Sequence, residues 1–195
     1  MYLINGTLST LPFRLHLPDG RTRTSLHEMS EAQLAELGIY PVDEVKPPLT
    51  WTQHYGSPVI EVTDGRATAT YPVLDHSPDE AAGILEAAKE RKRSEIAAAR
   101  WEAETAGIDV NGFTVRTDRE SQALITGAAL KAMQDSTYSC RWKTESGFVE
   151  LTAPQILAIA DAVRAHVQSC FDREGELRPL IDAAESPGNL EVIVW

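Results

Sequence analysis

Little in this sequence points to chemistry. It has only two cysteines, Cys140 and Cys170. Two thiols far apart in the chain fit a reducing compartment and read as reduced packing residues. No apolar run approaches the roughly 20 residues of a membrane helix. The opening Met1-Tyr2-Leu3-Ile4-Asn5-Gly6 has no basic leader and no long apolar stretch. The expectation is a soluble protein made in a cytoplasm. Basic charge is scarce: 18 Lys and Arg face 29 Asp and Glu, for a net charge of −11 at pH 7. Phosphate backbones would repel such a chain unless its cations cluster. The one basic run, Lys89-Glu90-Arg91-Lys92-Arg93, is interleaved with Glu86, Glu90 and Glu95 and reads as a solvated helix face. No nucleic-acid partner is expected.

Catalytic signatures are missing too. There is no G-x-S-x-G elbow, no P-loop and no Gly-rich dinucleotide turn. The histidines His16, His27, His54, His76 and His166 show no pairing at ligand spacing, so neither metal nor cofactor is expected. Asp75, His76 and Asp79 form the nearest cluster. Their plain role is charge beside a helix N-terminus. Asp118 and Glu120 could pass for an acid/base pair, but a helix cap explains them. An enzyme is therefore not expected.

What is present is patterning. Phe13-Arg14-Leu15-His16-Leu17 alternates like a strand and runs into the turn Pro18-Asp19-Gly20. Ser30 can cap a short helix over 31–37 that Gly38 ends. Pro58-Val59-Ile60-Glu61-Val62 and Ala67-Thr68-Ala69-Thr70-Tyr71 flank Asp64-Gly65, a hairpin signal. Trp51-Thr52-Gln53-His54-Tyr55 reads as an aromatic loop.

Ser77-Pro78-Asp79-Glu80 then opens a helix with three agreeing signals. The next break is Gly107, which allows about 29 residues, or roughly 43 Å. Ala81, Leu85, Ala88, Lys92, Ile96, Ala99, Ala103 and Ala106 form a thin, alanine-rich stripe. Such a helix buries little area and reads as a connector or a helix-pairing surface.

Ile108 to Val115 reads as a hairpin turning at Asn111-Gly112. Thr117 to Glu120 reads as a capping box before a helix to about Gln134. Ile125, Ala128, Ala129, Ala132 and Met133 mark its buried face. Trp101 and Trp142 read as packing anchors rather than base-stacking platforms. Residues 140–143 and 148–151 flank a turn at Glu145-Ser146-Gly147. Thr152 and Gln155 frame a third helix start. Ile156, Ile159, Ala160, Val163, Val167, Cys170 and Phe171 form that helix's stripe, and Gly175 is a candidate break. Residues 190–195 read as a terminal strand that could add to another protein's sheet.

Gly112-Phe113, Thr117-Asp118-Arg119-Glu120-Ser121-Gln122, Trp142-Lys143-Thr144, Gly147-Phe148-Val149 and Leu151-Thr152 stand in an order that resembles a domain of unknown function from tailed bacteriophages and prophages. Ala165 to Phe171 looks like its last helix. Leu34, Leu37 to Val42, Gly65 and Tyr71-Pro72-Val73 resemble, more loosely, the leading segment of such phage proteins. The resemblance implies a tail-fibre, tail-tip or fibre-assembly setting and supplies no catalytic residue. Asp118, Gln122, Trp142 and Lys143 match its pattern; capping accounts for Asp118, while nothing in the sequence accounts for Gln122.

The expectation is thus an α+β protein: a β-rich unit over 1–75, a linker helix over 76–106 and an α+β unit over 107–195. It would bind phage tail-fibre or tail-tip proteins in the virion tail, as a homo-oligomer, with trimers matching the three-fold symmetry the resemblance implies. The alternative is an assembly chaperone not retained in the virion. Leu85, Ala88, Ile96, Ala99, Ala103, Val192, Val194 and Trp195 are the candidate interaction residues.

Overall fold

The computed structural model describes residues 1–16, 20–144 and 147–195. The expected turn residues Pro18-Asp19 and Glu145-Ser146 lie outside the described residues. The chain is α+β, as its patterning implies, and divides into two compact units, Met1–Ala81 and Ala82–Trp195.

The first unit runs β1 (Tyr2–Ile4), β2 (Thr7–Ser9), β3 (Arg14–His16), β4 (Thr22–Thr24), a 3-10 turn at Leu26–Glu28, α1 (Glu31–Glu36), β5 (Ile39–Val45), β6 (Gln53–Tyr55), β7 (Val59–Thr63), β8 (Arg66–Thr70) and β9 (Val73–Asp75). Its main sheet has the order β2-β1-β5-β8-β7. Only β5 and β8 pair in parallel; the other neighbours are antiparallel. Asp64 and Gly65 turn the β7–β8 hairpin with φ 51° and 78°, the doubly positive geometry such two-residue turns need. Asn5 and Gly6 do the same for β1–β2 with φ 50° and 79°, a hairpin the sequence reading missed. Ile4, Leu26, Leu34 and Ile39 make the core. Arg66 ties α1 to the sheet, donating to Glu31 at 2.9 Å and to Asp43 at 3.0 Å. The aromatic segment around residue 51 packs internally: Trp51 and Tyr55 are half-buried, and the Tyr55 hydroxyl donates to the Pro47 carbonyl.

The long helix α2 (Pro78–Thr105) begins as expected. The Glu80 amide donates to the Ser77 hydroxyl, and the Glu80 carboxylate accepts from the Ser77 amide at 2.8 Å. It ends at Thr105, and Gly107 turns the chain with φ +87°. A Cβ there would lie 3.1 Å from the Val115 carbonyl oxygen. Gly107→Ala should therefore cost about 1–2 kcal/mol in unfolding free energy; a neutral result in a denaturant titration would contradict this reading of the turn.

There follow β10 (Ile108–Val110), β11 (Phe113–Val115), α3 (Arg119–Gln134), β12 (Ser139–Thr144), β13 (Gly147–Thr152), α4 (Ala153–Asp182) and α5 (Pro187–Glu191). The strands form two separate antiparallel ribbons, β10–β11 and β12–β13. α3 and α4 pack together, with Ile125 and Val163 in one cluster and Ala132 and Ile156 in another.

Three expectations are corrected here. Gly175 does not break α4, which runs on to Asp182. A mid-helix Gly costs about 1 kcal/mol, and burying Leu177 and Ile181 beyond it outweighs that. The end of the chain is not a strand. Ser186 caps α5 through the Asn189 amide, and Pro187 sits at its start. Leu190 and Ile193 are then buried at helical rather than strand spacing. Finally, Met133 and Phe171 are exposed, not inward.

Candidate functional site

The last turns of α2 carry an internal ion network. Glu104 is fully buried, and a bare carboxylate there would be costly. Arg100, one turn earlier, pairs with it. Arg100 also meets Glu174 of α4 at 2.7 Å and lies 4.5 Å over the Phe171 ring. From α3, Arg119 reaches Glu104 at 3.0 Å and covers the Trp101 ring at 5.3 Å. The Gln122 amide donates to the same carboxylate at 3.2 Å and to the Thr117 carbonyl at 2.7 Å. Thr117, also fully buried, donates through its hydroxyl to the Glu104 carbonyl and accepts from the Gly107 amide at 2.9 Å. Gln122 thus has a physical role: it satisfies a buried acid and clasps the turn before its own helix. Thr117 is spoken for in this way, so the α3 cap is Asp118 rather than the expected Thr117.

This network ties the start of α3 to the end of α2, which Arg100 in turn ties to α4. A cleft of about 640 Å³ opens beside the first turns of α3. Thr114, Val115 and Arg116 line one wall, Arg141, Trp142 and Lys143 the other, and the first turns of α3 from Asp118 to Ile125 close it. The cleft therefore gathers Asp118, Trp142 and Lys143, three of the four motif residues that the sequence resemblance marks. Trp142 is half-buried and anchors the core as expected, with only part of its surface facing the cleft.

Asp118 is held ionised. Its oxygens accept from the Ser121 amide at 3.0 Å and the Ser121 hydroxyl at 2.9 Å, and Arg116 lies 3.0 Å away. The Ser121 hydrogen bonds pull its pKa below the usual aspartate value, with Arg116 adding to them. Asp118 is thus no proton donor near neutrality. Since the folded value lies below the unfolded one, its contribution to α3 is present above the ordinary aspartate range and lost as pH falls through the lowered value. A side-chain carbon-13 NMR titration should place the Asp118 midpoint below the usual aspartate value; a midpoint at or above it would contradict the cap.

Two other groupings invite chemistry. Cys170 Sγ lies 4.0 Å from His166 Nε2 on α4, but that nitrogen is 3.0 Å from the Ala103 carbonyl and so carries the proton. It cannot also take one from the thiol. Burial, and then the Glu104 charge, push the Cys170 thiol up, away from the thiolate. In the first unit, the pairing of β6 with β9 brings the ring of His54 onto that of His76, the residue after β9, with centroids 4.7 Å apart, a pairing that sequence spacing hid. No group of three or more metal-ligating side chains occurs among the described residues.

The predicted interaction residues fall into two sets. Ala88 and Ile96 are buried in a cluster with Leu177, Ile181, Ala184, Leu190 and Ile193, so the chain itself covers the stripe at these two positions. Leu85, Ala99 and Ala103 are half-buried beside them. Val192 and Val194 are exposed at 80% and 60%, and Trp195 at 37%. Arg116, Leu124 and Arg141 of the cleft were missed, having no spacing that relates them.

The family model described as Domain of unknown function (DUF4376) matches residues 87–193, more than half of the chain. No curated protein and no solved structure matches.

Proposed function

Since the chain belongs to the DUF4376 family, we propose that it is a bacteriophage tail protein, a structural component or adaptor that holds tail-fibre or tail-tip proteins. The phage setting comes from the resemblance in the motif set between Gly112 and Thr152. The binding role is carried by one observation: Asp118, Trp142 and Lys143 of that set surround a single open cleft. Apolar side chains near it support docking, since Leu124 and Phe148 are 58% and 64% exposed. Assembly would take place in the host cytoplasm and the protein would reside in the virion tail. A three-fold fibre would call for three copies.

A second reading is favoured by the fate of the helix stripe. A permanent part commonly buries more than about 2,000 Å². The alanine stripe that suited such pairing is turned inward at Ala88 and Ile96. A charged cleft suits a partner that is later released, as for a fibre-assembly chaperone. Mass spectrometry of purified particles separates the two. Stoichiometric presence in mature virions supports the structural role; absence there, with presence in fibre-assembly intermediates, supports the chaperone. Absence from both would overturn the proposal.

A further inference from the structure

The second unit contains two ribbons that stop short of each other. β11 lies beside β12, yet β10–β11 and β12–β13 remain separate sheets. The cleft opens between them. Each ribbon therefore presents a strand edge whose backbone groups can pair with another chain. We propose that an extended segment of a partner protein, alternating acidic and apolar residues, enters this cleft and adds a strand along β12. This rests on the reading of the chain as a binding protein and specifies what it binds.

Three observations fix the chemistry. The first is room: about 640 Å³ is within the ordinary range of ligand clefts. The second is alternation. Along β12, Arg141 and Lys143 are exposed and flank the half-buried Trp142. A strand laid beside it would alternate in the same way, one set of side chains meeting Trp142 and Leu124, the other meeting the two cations. The third is charge. The chain carries −11 overall, yet among the described residues Arg141 and Lys143 have no carboxylate partner, and Arg116 is taken by Asp118. Arg141 instead lies 5.4 Å over the Phe148 ring. The opposing carboxylates are Glu120 and the Arg116-paired Asp118 across the cleft, and Glu150, which stands opposite Arg141 in the β12–β13 register and accepts from Ser139 at 2.8 Å. Acidic side chains on the guest strand would therefore sit on the β12 side, away from α3.

The test uses the full chain, labelled with nitrogen-15, and a capped synthetic peptide of about six alternating Glu and Val residues, roughly 20 Å when extended. Saturable amide shifts at 114–116 and 141–143 are expected. Arg141→Glu with Lys143→Glu should weaken binding at least tenfold, as should replacing every Glu of the peptide with Lys. N-methylating the peptide on alternate residues, in each of the two registers, should abolish binding in one register only, because only one edge of a strand faces β12. Arg141 and Lys143 are exposed, so an unchanged melting temperature certifies the variant. The proposal is overturned by saturation without shifts at the cleft, by equal affinity for the charge-reversed protein, or by no binding at millimolar peptide. Any of these outcomes leaves the tail assignment standing if the charge-reversed protein still co-purifies with a tail protein. Loss of every tail partner by the unaltered chain would instead remove the assignment.

Discussion

Replacing Glu104 with alanine should lower the unfolding free energy by about 3 kcal/mol, in the range for breaking one side of a buried ion pair. The carboxylate is fully buried and receives Arg100, Arg119 and Gln122 from two helices. Its removal leaves Arg100, itself mostly buried, with Glu174 as its remaining partner. A melting-temperature drop of roughly 6–12 °C follows for a chain of this size. Glu104→Gln keeps an acceptor for the Gln122 amide and should fall between the two. Calorimetry on the three proteins measures this directly. A loss below about 1 kcal/mol would mean that water reaches the site and that the network does not set the position of α3.

Deleting residues 190–195 should cost roughly 3–6 kcal/mol, because it withdraws Leu190 and Ile193 from the cluster under α2. It also removes the Val194 carbonyl, which accepts from Arg173 at 3.2 Å. By contrast, Val192→Ser with Val194→Ser touches only exposed side chains and should change stability by less than about 0.5 kcal/mol each. A chain-end strand reserved for a partner predicts the opposite: small stability loss on deletion and a large loss of binding. Chemical denaturation of the truncated and doubly substituted proteins distinguishes the two, and a truncation as stable as the full chain would contradict the packing described for α5.

Much of the fold is legible because it is local. Asp64-Gly65 and Asn111-Gly112 specify their hairpins through φ alone, and Ser77 to Glu80 specifies a helix start within four residues. Asn5-Gly6 carried the same signal, but the strands it joins are only three residues each, too short for alternation to register. The end of the chain is not legible because Leu190 to Trp195 is apolar enough for either period; the Ser186 cap and Pro187 at the start of α5 decide for a helix. The site was less legible. Arg100 and Glu104 stand at helical spacing, which hints at a pair, but their partners Arg119, Gln122 and Glu174 arrive from other helices. No pattern in one dimension reports that convergence. Helical spacing marks the alanine stripe as a packing face, but no spacing says what packs on it; α4 and residues 184–193 cover it at Ala88 and Ile96.

The cleft and the exposed apolar groups around it matter only if a tail protein occupies them. The direct measurement is affinity purification of the tagged full-length chain from phage-infected cells, with the Arg141→Glu, Lys143→Glu protein in parallel. A tail-fibre or tail-tip polypeptide should co-purify in stoichiometric amount with the unaltered chain and be depleted with the variant. Recovery of host proteins alone, or of no protein, would contradict the account.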